Sequence, residues 1–138
     1  MKPSILAGIC VGLATGAWMF AEYALGLHDD PAGVGRWTGF VALILPLLGA
    51  YWLATRALRP SWPQAIREGL LFGLMGGVVG GAAIYLYFTV VNPSFSIGGR
   101  AVDAGAQALT GFTGSLILGP ILMLAMTAVF RRKGGSHG

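Results

Sequence analysis

The sequence predicts an all-α, polytopic membrane protein with four transmembrane helices, and three observations carry that prediction. Of 138 residues, 55% are hydrophobic and only 10% are charged, at a mean hydropathy of +0.72. A soluble domain carries about 25% charged residues, so 9 Lys+Arg and 5 Asp+Glu are too few to cover a water-facing surface. The same composition excludes a disordered chain. Second, four apolar stretches each reach the roughly 20 residues needed to cross a hydrocarbon core about 30 Å thick. None alternates with period two, which argues against a membrane β-barrel. Third, glycine supplies 23 residues, against a usual share of about 7%. With no Gly-X-Y period, this is not collagen. A membrane protein rich in small residues is what remains.

The first span covers about residues 5–27 and is interrupted only by Glu22. Lys2 before an apolar run resembles a signal peptide, but the run is too long and three more spans follow. Cys10 lacks the small residue directly before it that a lipoprotein site wants, and a lone cysteine forms no internal disulfide. It reads as an inert buried thiol. A turn over residues 28–36 leads to the second span, about 37–58, with Arg56 near its end. Ser61 followed by Gln64 fits a capping box, so the third helix begins ahead of the membrane and enters it near Gly69. Running to Val91, it spans about 30 residues, or roughly 45 Å. Asn92-Pro93 stops it. Gly98-Gly99-Arg100 follows, and Asp103 offers a cap for a fourth helix over about 106–130. The chain thus reads as one domain over 1–133, with a flexible tail over 134–138.

Basic residues orient the bundle. If the N-terminus is cytoplasmic, that side holds Lys2, Arg56, Arg59, Arg67, Arg131, Arg132 and Lys133, and the other holds Arg36 and Arg100. Positive residues in short loops are retained inside, so both termini are expected in the cytoplasm. Because the basic residues sit at helix ends and form no continuous patch, no nucleic-acid partner is expected.

The glycines are spaced for packing. Gly8, Gly12 and Gly16 lie four apart in the first helix, and Gly69, Gly73, Gly77 and Gly81 in the third, with Gly76 and Gly80 beside them. Gly111, Ser115 and Gly119 repeat the spacing in the fourth. Each series forms a stripe on one face, where small residues let backbones approach closely in lipid. These stripes read as packing seams within the chain. The third-helix stripe is the best candidate for a further seam in a homo-oligomer, because its glycines exceed the needs of one neighbour. The halves also look alike: Leu43-Ile44-Leu45-Pro46 in the second helix parallels Leu116-Ile117-Leu118-Gly119-Pro120 in the fourth. They read as two tandem helical hairpins of parallel topology, each with a proline kink in its returning helix.

One family resembles this order of features. A glycine-rich first helix precedes a second ending in basic residues. A Gln64-Ala65 entry to Gly69 follows, and the third helix leaves through Tyr85-Leu86-Tyr87 to Val91-Asn92-Pro93-Ser94-Phe95. This is similar to the small four-helix bacterial membrane proteins of the domain-of-unknown-function 4199 family, over about residues 5–130. Glu22 and Asp29-Asp30 have no counterpart in that pattern. The resemblance implies a multi-pass protein of the bacterial inner membrane and supplies no activity.

Few residues are left for chemistry. Glu22 is the ionisable residue inside a span, where a charge at the bilayer centre costs about 2.5–3.5 kcal/mol. It reads either as a proton- or cation-binding carboxylate or as an anchor that pairs with Arg36 or Arg100. Asp29 and Asp30 offer two carboxylates to an ion, but a divalent cation needs more oxygen ligands than two adjacent side chains supply. His28 beside them reads as a loop residue. Arg56, Arg59 and Arg67, with Trp62, suit anionic lipid headgroups, or simply anchor the topology. Tyr85, Tyr87 and Phe88 read as interface anchors. No nucleophile elbow, zinc signature, Walker motif or dinucleotide fingerprint is present. No cofactor or metal is therefore expected, and a lipid-modifying enzyme would lack a visible nucleophile or acid–base pair. The expectation is a structural or accessory membrane protein that binds the bilayer and a second copy or another membrane protein. The rival expectation is a small proton- or cation-coupled transporter or channel that uses Glu22.

Overall fold

A computed structural model of the chain describes residues 2–27, 34–97 and 99–134. It is all-α and 85% helical. Helix α1 runs Pro3–Ala24, α2 Val34–Leu58 and α3 Trp62–Leu86, continued by a π-helical turn over Tyr87–Val91. A short pair, β1 Ser96–Ile97 and β2 Arg100–Ala101, precedes α4, Ala104–Gly134. Asp29 and Asp30 lie outside the described residues.

Local chemistry explains most of these boundaries. At the start of α3, Gln64 Oε1 accepts the Ser61 N–H at 2.9 Å, which satisfies an amide the helix leaves open. At the start of α4, Asp103 Oδ1 accepts the Ala106 N–H at 3.1 Å. The π turn ends α3 with an i to i+5 bond, Asn92 N–H to Tyr87 O at 2.8 Å. The strand pair is antiparallel, with Ser96 opposite Ala101 and Ile97 opposite Arg100. Gly99 in its turn has φ +79°, which an L side chain resists.

Arg59 closes α2 with its N–H on Thr55 O at 2.8 Å, and it does so at φ 42°. Left-handed backbone costs a non-glycine residue about 1–2 kcal/mol, and helices usually place glycine here. Arg59→Gly should therefore gain about 1 kcal/mol, read as a shift in the denaturant midpoint in micelles. Arg59→Ala, which keeps the Cβ, should gain nothing.

Helix α3 is the centre of the bundle. It packs against α1 on one side and α4 on another, while α2 lies against α1 and touches α4 far less. The buried core gathers at one end, called basal here, where Tyr51 and Ala54 of α2 meet Ala65 and Phe72 of α3 and Met123 of α4. The Tyr51 and Phe72 rings stack at 3.9 Å. Thr55 Oγ1 donates to Met123 Sδ at 3.1 Å, and Trp52 meets Phe130 at 4.5 Å. Large apolar side chains cover the outside: Leu6, Leu13, Leu45, Leu53 and Ile117 are all at least half exposed. In water so much open apolar surface would drive association; in lipid it is the solvated face. Pro3–Ala24, Trp62–Val91 and Ala104–Phe130 are each long and apolar enough to cross a membrane. Cys10, expected to be buried, is exposed on this outer surface. Its position in α1 falls between the residues that turn to α3.

Candidate functional site

The two seams of α3 set the geometry of everything else. Against α1 the helices run parallel in a constant register. A Cβ on Gly8 would lie 2.5 Å from Phe72 O, one on Gly12 2.7 Å from Val79 Cβ, and one on Gly16 2.7 Å from Ala83 Cβ. Against α4 they run antiparallel. A Cβ on Gly69 would lie 2.5 Å from Pro120 Cα, one on Gly77 2.9 Å from Phe112 Cδ2, and one on Gly81 3.3 Å from Ala108 O. On Gly73 it would fall on Ser115 O, and on Gly119 on Gly69 O. Ser115 Oγ donates across this seam to Gly73 O at 2.9 Å. The two glycine sets of α3 are offset by about 100°, one residue's rotation. Both faces are covered within the chain.

One buried carboxylate lies at the basal end of the α1–α3 seam, and another near the distal end of α1. At the basal end, Glu68 is 4% exposed and Ser4 is fully buried. Ser4 Oγ donates to Glu68 Oε2 at 2.5 Å. Arg67 Nη2 donates to Glu68 Oε1 at 3.0 Å, and Lys2 Nζ lies 4.0 Å from the same oxygen. At the other, distal end, Glu22 is 6% exposed and accepts from Trp18 Nε1 at 2.7 Å, one helical turn away. An aromatic cluster stands nearby on the same seam. Phe20 and Tyr23 of α1 meet Tyr87 edge-on at 5.9 and 6.0 Å, and Phe88 meets it at 5.0 Å. Asn92 Nδ2 donates to Tyr87 Oη at 3.3 Å.

Between the ends lies a chamber of about 290 Å³. Glycines 76, 77, 80 and 81 of α3 form its floor, and side chains of α1, α2 and α4 form its walls. Glu22 and Glu68 are not part of its lining.

Among known protein families, the one described as "Protein of unknown function (DUF4199)" matches residues 6–98. The chain belongs to this family. No curated protein and no solved structure matches it. The family match takes in α1, α2, α3 and the π turn of this DUF4199 protein, and α4 lies beyond it. The resemblance read from the first three helices therefore holds, and the family adds no chemistry to it.

Several site expectations for this DUF4199 chain change on the structure. Glu22 was expected to be the one intramembrane charge that topology leaves unexplained. Glu68, one residue before the apolar run that starts at Gly69, is buried more deeply still. Tyr87, expected as an interface anchor, is fully buried. It stands seven residues after Gly80, two turns on, and so falls on the α1-facing side of α3. Tyr85 is half exposed, as an anchor would be. Arg56, Arg59 and Arg67 share the basal end and are all exposed, but Arg67 is joined to Glu68. Among the described residues, no three His, Cys, Asp or Glu side chains come together as a metal site would require.

Proposed function

We propose that this is an accessory protein of the bacterial inner membrane: four spans, both termini in the cytoplasm, and a glycine-packed bundle whose role is to hold shape and offer surfaces. The single observation that carries this reading is the chemistry of the chamber. Among the described residues its lining bears no acid, no histidine and no base, whereas a coupled carrier needs a titratable group that its cargo or proton can reach. The two buried carboxylates lie outside that described lining, with Trp18 on Glu22 and Ser4 and Arg67 on Glu68. The basal arginines Arg56 and Arg59 then serve anionic headgroups. A second copy or another membrane protein would meet the outer surface, where a Cβ added to Gly49 of α2 or Gly114 of α4 would meet nothing from another helix within 4 Å among the described residues.

One observation favours the transporter reading, the 6% exposure of Glu22 inside α1. Proteoliposomes that carry the full chain and an internal pH dye separate the two. With ethidium as the cation, the wild type should give no more proton-coupled flux than empty liposomes. Flux that disappears in Glu22→Gln, while the variant stays folded, would establish the carrier instead.

A further inference from the structure

Among the described residues the chamber is lined by apolar side chains, glycines and three hydroxyls. Tyr51, which lines it, stacks on Phe72 within the basal core. Among the described residues the space is bounded mainly by the α3 glycines and by Leu47, Ile84, Leu118 and Leu122. For comparison, an apolar cavity of about 150 Å³ stays dry and takes up small apolar molecules.

Three hydroxyls border the space: Thr15, Ser115 and Tyr51. Thr15 donates to Val11 O and Ser115 to Gly73 O. Tyr51 is 1% exposed, and its Oη has no hydrogen-bond partner among the described residues. Every side-chain oxygen or nitrogen that is sealed off in the described residues does have a partner. The Tyr51 hydroxyl is therefore the open part of its side chain, and the chamber is the space it opens onto. Thr15 and Ser115 each spend their proton on a backbone carbonyl, so among the described residues Tyr51 is the lining hydroxyl with a donor to spare.

We propose that the chamber binds an uncharged lipid, an apolar chain carrying one carbonyl, with Tyr51 donating its O–H to that carbonyl. The glycine floor gives the chain a flat bed, the leucines flank it, and the lining among the described residues carries no charge to hold an ionised headgroup. Such a carbonyl comes from an acyl ester of the bilayer or from a free neutral lipid. This goes beyond the accessory role and stands whatever Glu22 is found to do.

The test uses the full chain in nanodiscs and two photoreactive probes of equal length, a diazirine-bearing fatty-acid methyl ester and the corresponding alkane. The ester should label the α2 and α4 residues that line the chamber. Tyr51→Phe keeps the ring stack on Phe72 and should lower ester labelling about five-fold, the value of one hydrogen bond, with alkane labelling unchanged. Leu47→Phe and, independently, Leu122→Phe fill the space and should abolish both. Circular dichroism of each variant establishes that it is folded. Weaker ester labelling in ester-linked than in ether-linked nanodiscs identifies the bilayer's own acyl chains as the source; equal labelling identifies a free neutral lipid. Labelling confined to the outer surface, or an ester signal indifferent to Tyr51→Phe, overturns the proposal.

Discussion

Gly73→Ala should destabilise the protein by about 3 kcal/mol or more, at the top of the range for forcing atoms into a packed interior. The added methyl would land on Ser115 O, with Leu116 Cα 3.1 Å away. Both are backbone atoms of α4, so no side chain can swing aside, and relief requires the two helices to separate. Separation also stretches the 2.9 Å bond from Ser115 Oγ to Gly73 O. Unfolding in micelles, followed by tryptophan fluorescence against denaturant, measures the loss. Gly80 is the sharper comparison. It is equally buried and lies in the same glycine run, but a Cβ there would meet only Gly12 Cα, at an ordinary 3.7 Å. Gly80→Ala should cost little. Gly114→Ala, with nothing within 4 Å, should be neutral or gain up to about 1 kcal/mol from helix propensity. Burial alone does not separate Gly73 from Gly80, whereas the space at each Cβ does. Equal losses at the two positions would show that close approach of the backbones is not what holds α3 to α4.

What the sequence discloses and what it conceals divide along a physical line. Caps are local, so Ser61 with Gln64 and Asp103 before Ala106 could be read from spacing alone. The four-residue glycine period states which residues share a face, but not which helix that face meets. The two α3 sets could therefore be seen without knowing that one belongs to α1 and the other to α4. Tyr87 was read from its chemistry, which suits a membrane interface, although its place two turns after Gly80 already put it on a seam. The strand pair around Gly99 had a local signal too, a Gly-Gly step between short segments. Glu68 lies on the same four-residue period, although its charge sets it apart from the glycines. Counting back by four from Gly80 and Gly76 passes Phe72 and arrives at Glu68, and the same step back from Gly8 arrives at Ser4. The seam goes on past its glycines, and its last pair is polar. The chamber has no such signature, because its lining comes from all four helices and no single helix carries a period that states it.

Ser4→Ala should cost about 1.5–3 kcal/mol, the range for a hydrogen bond to a charged group whose partner is left buried. The carboxylate of Glu68 would keep Arg67 and Lys2, but these side chains are 65% and 55% exposed. Ion pairs that reach into water contribute about 0–1 kcal/mol each, so Arg67→Gln or Lys2→Gln alone should be mild. The two together should cost more than their sum, since the carboxylate would then keep only Ser4. Glu68→Gln decides whether charge or hydrogen bonding matters. The amide oxygen still accepts from Ser4, and a neutral side chain needs no cation, so in that background Arg67→Gln and Lys2→Gln should become silent. Glu68→Leu removes the acceptor and strands the Ser4 hydroxyl, and should cost about as much as Ser4→Ala. Buried ion pairs can often be replaced by apolar residues when every partner is replaced at once. The double variant Ser4→Ala with Glu68→Leu should accordingly recover most of the loss. A double-mutant cycle between positions 4 and 68 reads this directly as a coupling energy. Additive effects at the two positions would mean that the end of the seam is held by apolar packing, and that the Ser4–Glu68 bond only satisfies groups buried for another reason.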